Sequence, residues 1–271
     1  GSPFDYPLSS RFDENDAILV LDNVFIPWEN VLIYKDFDRA RSWTMEGGFA
    51  RLFPFQACTR FAVKLDFLAG LLQKSLECTG VADFRGVQAD LGEVVTWRHL
   101  FWALADAMCA EATEWRGGCW MPDTKSIMTY RVMAPMAYSK IKNIVERNLT
   151  SGLVYLPSSI RDMENPEIEK YLAKYVRGSN GMDFEERIKI LKLMWDAIGS
   201  EFGGRHELYE INYTGSQDEI RMQTLRQAKA SGCMKEMTDL VDRCLADYDR
   251  KGWTTPIYHN NCDLVKIGDL V

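Results

Sequence analysis

The chain has 271 residues, of which 46% are hydrophobic and 26% are charged, so it can bury a large core and is not compositionally disordered. Its formal net charge of -7 disfavours a general nucleic-acid partner, because neutralising phosphates requires a basic face. No apolar run approaches the roughly 20 residues that a membrane span requires, so we expect no membrane partner.

Seven cysteines and three histidines limit the disulfide and metal chemistry of the chain. The cysteine count is odd and no two cysteines form a C-x-x-C pair, which argues against a disulfide framework in a chain of this size. We therefore predict a reducing, cytoplasmic location. The histidines are far apart in sequence and lack metal-ligand spacing, so we predict no metal site.

The first predicted elements are strands. Residues 17–21 form a short run of β-formers, Asp22 and Asn23 mark a turn, and short apolar runs resume at residues 24–26 and 31–34. Because two or three strands cannot form a stable sheet alone, we expect residues 1–34 to be the last strands of a β domain that lies upstream. The Gly1 start without an initiator methionine is either a tag remnant or an internal position of a longer chain, and we favour the second.

From about residue 48 the hydrophobic period becomes helical. Three long stretches of roughly 25 residues each carry an apolar stripe, and shorter helices follow. Gly80 ends the first long helix, Pro122 and Asp123 begin the third, and Pro135 should kink the third or mark a boundary. The shorter helices are predicted near residues 166–176, 185–198, 203–212, 217–229 and 235–249. Long helices with short connections predict an antiparallel bundle over residues 35–249, followed by a tail over residues 250–271 that docks on another surface.

A glycine-rich junction at residues 197–210 is the strongest candidate for a site. Glycines let a ligand approach the backbone, the start of the next helix offers N–H groups to an anion, and Arg205 adds a charge suited to phosphate. A glycine-rich helix end followed by a new helix explains the same residues without a ligand.

Two further positions are candidates. Ser151 and Gly152 are interpreted as a polar break after the third long helix, and Arg60 lies near the start of the first. Composition alone favours ordinary structural roles for them, a loop with a helix cap and a solvated or paired arginine.

Long runs of the sequence resemble a known family. Residues 4–17, 22–29, 84–89, 174–179 and 189–213 closely resemble the oxygenase component of the 4-hydroxyphenylacetate 3-monooxygenase family. The resemblance covers nearly the full chain and is weakest after Asn261. The family's fold is similar to that of acyl-CoA dehydrogenases, with a helical domain, a central β domain and a C-terminal four-helix bundle. The resemblance implies that this chain is the C-terminal half: mainly α, an antiparallel four-helix-bundle domain preceded by the last strands of the β domain.

The resemblance also implies a function. The expected enzyme is a flavin-dependent monooxygenase that hydroxylates 4-hydroxyphenylacetate, or a similar phenol, ortho to its hydroxyl group, with O2 and reduced FAD. The implied partners are the flavin reductase that supplies FADH2, the N-terminal half of the same enzyme, and further copies in a homotetramer. The family's substrate-clamping residues lie upstream, so we expect no catalytic residue in this chain and no activity from it alone.

In the family, the loop that resembles residues 199–205 lies against FAD. By analogy with acyl-CoA dehydrogenases, the other two candidate positions would approach the FAD diphosphate or adenosine. The cofactor-binding residues implied in this way are Ser200, Glu201, Phe202, Gly203, Gly204, Arg205, Ser151, Gly152 and Arg60. Two alternatives stay open: a flavin-containing dehydratase of the 4-hydroxybutyryl-CoA type, which adds an iron–sulfur cluster, and a non-catalytic helical assembly piece.

Overall fold

The computed structural model describes residues 2–12 and 16–253. Most of the predicted C-terminal tail, residues 254–271, lies outside the described residues. The chain divides into two compact units, one up to Arg221 and one from Met222 onward.

The first unit is built from helices, and its three longest helices are those that the apolar spacing predicts. In chain order its helices are α1 (Phe37–Glu46), α2 (Phe49–Thr79), α3 (Arg85–Ala110), α4 (Thr124–Val154), α5 (Arg161–Glu164), α6 (Pro166–Tyr175), α7 (Phe184–Ile198), α8 (Glu201–Asn212) and the start of α9 (Gln217–Ala230). The sequence analysis missed α1, which buries none of its residues and therefore has no core-facing stripe to detect.

The core lies where α2, α3 and α4 pack against one another, with α7 covering α2 and α4. Only residues 80–84 separate α2 from α3, and so short a connection makes the two helices antiparallel. Phe61, Phe101 and Tyr138 are almost fully buried at the centre, and the rings of Phe61 and Phe101 meet edge to face at 4.7 Å. The predicted mainly α fold is therefore confirmed.

Helix ends follow the capping signals in the sequence. Asp123 begins α4 by accepting a hydrogen bond from the backbone N–H of Ser126 at 2.8 Å. Such a cap contributes about 1 kcal/mol. Gly80 ends α2 at a φ of 77°, a left-handed conformation that favours glycine, and a Cβ there would lie 2.3 Å from Ser179 Oγ.

Neither internal proline ends its helix. Pro54 lies within α2 and Pro135 within α4, so the interpretation of Pro135 as a boundary is wrong. Pro135 has no N–H, which leaves the carbonyl of Arg131 without its helical donor. The buried hydroxyl of Thr214 donates to that carbonyl at 3.4 Å, and the Arg131 guanidinium donates to the Thr214 carbonyl at 2.8 Å.

The strands predicted over residues 16–34 are absent from the described residues of that segment. The backbone there is irregular apart from a 3-10 turn at Trp28–Asn30. The apolar side chains point into solvent, with Ile18 and Leu32 93% exposed. A strand exists only when it is paired, and no described segment pairs with this one, so residues 16–34 form no strand here. Their assignment to a β domain that lies upstream stays a prediction. The strand pair in the first unit is the short β1 (Thr113–Glu114) and β2 (Trp120–Met121), which run antiparallel.

The second unit contains the rest of α9, then α10 (Cys233–Ala246) and a hairpin of β3 (Tyr248–Asp249) and β4 (Gly252–Trp253). Along α10, Met237, Leu240 and Val241 are exposed and share one face. Across both units, a search of the described residues finds no helix with the length and apolar character needed to span a bilayer.

Candidate functional site

A cavity of about 820 Å³ lies between Leu8, Phe12 and Asp16 on one side and helices α2, α4, α7 and α8 on the other. Most of its wall is apolar. The aliphatic and phenylalanine lining residues are Leu8, Phe12, Val63, Phe67, Leu68, Ala197 and Phe202. Ligand pockets typically span about 300–1,000 Å³ and are lined mainly by apolar and aromatic groups, so the size and the wall are those of a binding site.

A buried ion cluster forms one side of this cavity. Glu210, on α8, is 2% exposed and accepts two hydrogen bonds from the Arg60 guanidinium, at 2.6 and 3.0 Å. Lys64, one turn further along α2, donates to the same carboxylate at 2.5 Å. Burial raises the pKa of Glu210, but the hydrogen bonds and charges of Arg60 and Lys64 outweigh it, so the pKa is lowered and the carboxylate is ionised at neutral pH.

The cluster contains two cations, Arg60 and Lys64, and one carboxylate, Glu210, and the acidic Asp16 also lines the cavity. Arg60 and Lys64 share one carboxylate, and the Arg60 guanidinium also lies 5.1 Å from the ring centroid of Tyr209. Such a cation on a partly buried wall attracts anionic or electron-rich groups more strongly than it would in water. The cavity therefore combines mainly apolar walls with three charged residues, Arg60, Lys64 and Asp16.

His206 is held as a neutral imidazole beside this cluster. Its Nδ1 lies 2.6 Å from Lys64 Nζ, and its ring packs on Phe202 with centroids 4.4 Å apart. Burial, and then the positive charge of Lys64, lower the pKa of His206 to about 4. Because the unfolded chain takes up this proton at higher pH, the stabilisation from the neutral histidine is complete above about pH 6.5 and is lost as pH falls toward 4.

The predicted junction is confirmed as a helix-to-helix connection, with α7 ending at Ile198 and α8 beginning at Glu201. The Ser200 hydroxyl oxygen accepts from the backbone N–H of Gly203 at 3.2 Å, so one amide expected to face an anion is capped within the chain. A Cβ on Gly203 would lie 2.6 Å from the backbone of Ile198, whereas a Cβ on Gly204 would meet open space. Gly203 therefore allows α8 to begin in contact with the end of α7.

The other predicted residues of α8 divide between the cavity and the surface. Phe202 is buried and lines the cavity. Glu201 and Arg205 lie on the outer face and pair with each other one turn apart.

Ser151 and Gly152 do not form the predicted break, because α4 continues through both to Val154. Gly152 is buried, and a Cβ there would lie 3.3 Å from Leu191 Cδ1 on α7. A small residue at this point serves the packing of α4 against α7, and the helix tolerates it because packing outweighs intrinsic propensity. Neither residue lines the cavity.

The structure adds Lys64 to the candidate site. It also brings in His206, Tyr209 and Glu210, which lie in the candidate stretch 197–210 but were not among the predicted cofactor-binding residues. Their signal is spacing. Arg60 and Lys64 are four residues apart on α2, each directly before a residue of the apolar stripe, and His206 and Glu210 are four apart on α8. Residues at this spacing share a helix face, so opposite charges at the edge of two apolar stripes indicate a pair of facing helices.

No group of three or more histidine, cysteine, aspartate or glutamate side chains within residues 2–12 and 16–253 is placed to hold a metal ion. The described residues therefore offer no metal centre to set beside the cavity.

Two family models match the chain. Residues 40–242 match the model described as 4-hydroxyphenylacetate 3-hydroxylase C terminal, and residues 1–33 match the corresponding N-terminal model. The first match alone covers well over half of the chain. The chain therefore belongs to the 4-hydroxyphenylacetate 3-hydroxylase family.

Individual relatives agree with the family. The chain is 72% identical over 271 residues, all of its length, to the 4-hydroxyphenylacetate 3-monooxygenase oxygenase component of Escherichia coli, of which it covers 52%. It superposes with a TM-score of 0.81 and 27% identity on a crystal structure of an oxygenase component complexed with FAD and 4-hydroxyphenylacetate, covering 92% of this chain and 52% of the other. The chain thus spans about half the length of the curated relatives it matches.

A more distant likeness concerns the fold alone. A 4-hydroxybutyryl-CoA dehydratase from N. maritimus superposes with a TM-score of 0.73 and 20% identity, covering 91% of this chain and 47% of the other. The helical architecture is therefore common to enzymes with different names and does not by itself select a reaction.

Proposed function

We propose that this chain is the C-terminal part of an FAD-dependent monooxygenase that hydroxylates 4-hydroxyphenylacetate, or a similar phenol, ortho to its hydroxyl group. The reaction consumes O2 and reduced FAD, which a separate flavin reductase supplies. The observation that carries the proposal is the match of nearly the whole chain to the oxygenase family, at 72% identity to the Escherichia coli relative.

The cavity fits a flavin. A planar aromatic ring system needs apolar walls, which Val63, Phe67 and Phe202 offer, and the electron-rich or charged parts of the nucleotide need cations, which Arg60 and Lys64 offer. Flavin, when bound, supplies the activation of O2 and the oxygen transfer. Arg60 and Phe202 line the cavity and would contact the cofactor there. The roles of Ser200, Glu201, Gly203, Gly204, Arg205, Ser151 and Gly152 in cofactor binding stay predictions from the family resemblance, because none of these residues lines the cavity.

The chain's own residues then bind, orient and exclude water. The apolar wall keeps water from the reacting atoms, which protects a reactive cofactor from side reactions. The ion pairs of Arg60 and Lys64 with Glu210 fix α8 against α2 and so hold Phe202 in the wall. His206, neutral at physiological pH, adds polarity to the site without adding charge.

The proposed assembly explains the exposed apolar segment. We assign residues 1–34 to the end of a β domain, residues 35–249 to the helical bundle domain and residues 250–271 to a tail. The N-terminal half of the enzyme covers residues 16–34, and further copies of the chain complete a homotetramer in the cytoplasm. Exposed Ile18, Phe25 and Leu32 support this arrangement because an apolar run of this length is seldom left in water.

Turnover by the intact protein, meaning this chain together with the N-terminal half of the enzyme, tests the proposed reaction. Enzymatically reduced FAD, O2 and 4-hydroxyphenylacetate are mixed with the protein, catalase is added to remove free peroxide, and products are separated by chromatography. We expect 3,4-dihydroxyphenylacetate to form in proportion to protein. Product no higher than in the mixture without protein contradicts the proposal.

Arg205 tests the cofactor assignment. Arg205→Ala should weaken FAD binding by about 1–3 kcal/mol if the guanidinium contacts a charged group of the cofactor. Arg116→Ala is a matched control, because Arg116 is also an exposed arginine with a surface carboxylate partner, Glu46, and does not line the cavity. Equal FAD affinity of the two variants, measured by fluorescence titration, removes Arg205 from the site.

A further inference from the structure

Asp196 is a fully buried carboxylate near the end of α7 that four hydrogen bonds hold in place. Its Oδ2 accepts from the backbone N–H groups of Leu8 at 2.7 Å and Ser9 at 2.8 Å. Its Oδ1 accepts from the hydroxyls of Ser9 at 2.6 Å and Ser200 at 2.8 Å. All four donors are neutral groups, two backbone amides and two serine hydroxyls, and they supply this buried carboxyl group with the hydrogen bonds that burial requires.

These hydrogen bonds connect two parts of the chain that match different family models. Leu8 and Ser9 lie in the stretch that matches the N-terminal model, and Asp196 and Ser200 lie in the stretch that matches the C-terminal model. One turn earlier on α7, the buried Lys192 donates to Asp5 at 2.9 Å. Helix α7 thus presents a cation and an anion, four residues apart, to the same N-terminal segment.

Asp196 also sets the orientation of the Ser200 hydroxyl. A hydroxyl has a single proton, and Ser200 directs it toward Asp196, whose carboxylate and backbone carbonyl lie at 2.8 and 3.0 Å. The oxygen of Ser200 is thereby left to accept from the backbone N–H of Gly203 at 3.2 Å, which caps the start of α8. The carboxylate therefore orients the group that begins α8.

Both ends of this connection reach the cavity. Leu8 lines it from the N-terminal segment, and Phe202 lines it from the first turn of α8. The same Asp196 carboxylate holds residues 8 and 9 and orients Ser200. Movement of residues 8 and 9 would therefore loosen Ser200, and movement of Ser200 would loosen residues 8 and 9.

We propose that Asp196 is a positioning residue that couples the seating of residues 2–12 on the helical domain to the start of α8, and so shapes the cavity from two sides. The coupling itself stands on the hydrogen bonds, and only its effect on the cofactor rests on the proposed flavin function. The seating of the N-terminal segment and the affinity for flavin are then linked, and each must respond to the other by the same factor.

The two serines allow a test from opposite ends. Ser9→Ala removes one of the four hydrogen bonds of Asp196 from an exposed position outside the cavity lining, and Ser200→Ala removes another from the α8 side. Ser10→Ala is the matched control, because the Ser10 hydroxyl is also exposed and donates to the Pro7 carbonyl at 3.5 Å instead. Amide hydrogen exchange is measured on the intact protein without ligand, followed by FAD titration.

We expect Ser9→Ala to speed exchange at Gly203 and Gly204 at least threefold and Ser200→Ala to speed exchange at Leu8 and Ser9 to a similar degree. Ser9→Ala should also weaken FAD binding three- to tenfold, with Ser10→Ala at the wild-type value in both measurements. Exchange at Gly203 and Gly204 that stays at the wild-type rate in Ser9→Ala overturns the coupling. A wild-type protein that fails to bind FAD contradicts the proposed function instead, and the exchange measurement still decides whether the coupling exists.

Discussion

The bundle core and residues 16–34 are both rich in large apolar side chains, and they differ in what becomes of those side chains. Phe61 and Leu65 on α2 are fully buried, whereas Ile18 and Phe25 are 93% and 87% exposed. A helix satisfies its own backbone and needs only neighbours for its apolar stripe, which α3 and α4 provide within the chain. A strand needs a hydrogen-bonding partner as well, so the same apolar content leaves residues 16–34 uncovered.

The largest expected effect compares two phenylalanines, one from each region. Phe61→Ala should lower the free energy of unfolding by about 3–5 kcal/mol, because it opens a cavity against Phe101 in the core. Phe25→Ala should change it by less than about 0.5 kcal/mol, because that ring is already in water. Urea unfolding of the 271-residue chain measures both. Both substitutions can be repeated in the longer protein that includes the upstream half. A large loss of unfolding free energy for Phe25→Ala in that protein would show that the partner of Phe25 lies upstream.

A smaller effect compares a buried carboxylate with an exposed one. Glu210→Gln should lower the free energy of unfolding by about 2–4 kcal/mol, because it leaves Arg60 and Lys64 without their shared counter-charge at a largely buried site. Asp66→Asn is the control, since Asp66 pairs with Arg98 between α2 and α3 at a half-exposed site where a pair contributes about 0–1 kcal/mol. Equal changes in unfolding free energy for the two variants would show that the cluster is no more than a surface ion pair.

The smallest effect compares two neighbouring glycines of α8. Gly203→Ala should destabilise the chain by about 1–3 kcal/mol, because the new Cβ would lie 2.6 Å from the Ile198 backbone. Gly204→Ala should stabilise it by about 0.4–1 kcal/mol, because its Cβ meets open space and alanine favours a helix. Thermal unfolding distinguishes the opposite signs, and a stabilising Gly203→Ala would mean that α8 does not begin in contact with α7.

The parts of the fold that sequence could predict are those with a local signal. The stripes of α2, α3 and α4, the Gly80 stop and the Asp123 cap each depend on neighbours within a few residues. The break at Gly152 was predicted wrongly, because the approach of α4 to Leu191 depends on distant residues. The strands at residues 16–34 are not formed among the described residues, because strand pairing also depends on distant residues. The candidate site divides in the same way. Sequence placed a helix junction at Ser200, whereas the bond from Arg60 to Glu210 spans 150 positions. The four-residue spacings on α2 and α8 indicate one face of each helix but not which helix lies opposite.

The proline in the middle of α4 limits how the polypeptide between α8 and α9 can change length. The Thr214 hydroxyl donates to the Arg131 carbonyl, which has no helical donor because Pro135 lacks an N–H. The Arg131 guanidinium donates in turn to the Thr214 carbonyl. Inserting or deleting a residue between Asn212 and Gln217 would carry Thr214 out of reach of that carbonyl and leave a buried acceptor unsatisfied. Surface connections usually tolerate such changes. Here Arg131 and Pro135, in the middle of α4, fix the position of Thr214 and with it the length of the connection between α8 and α9.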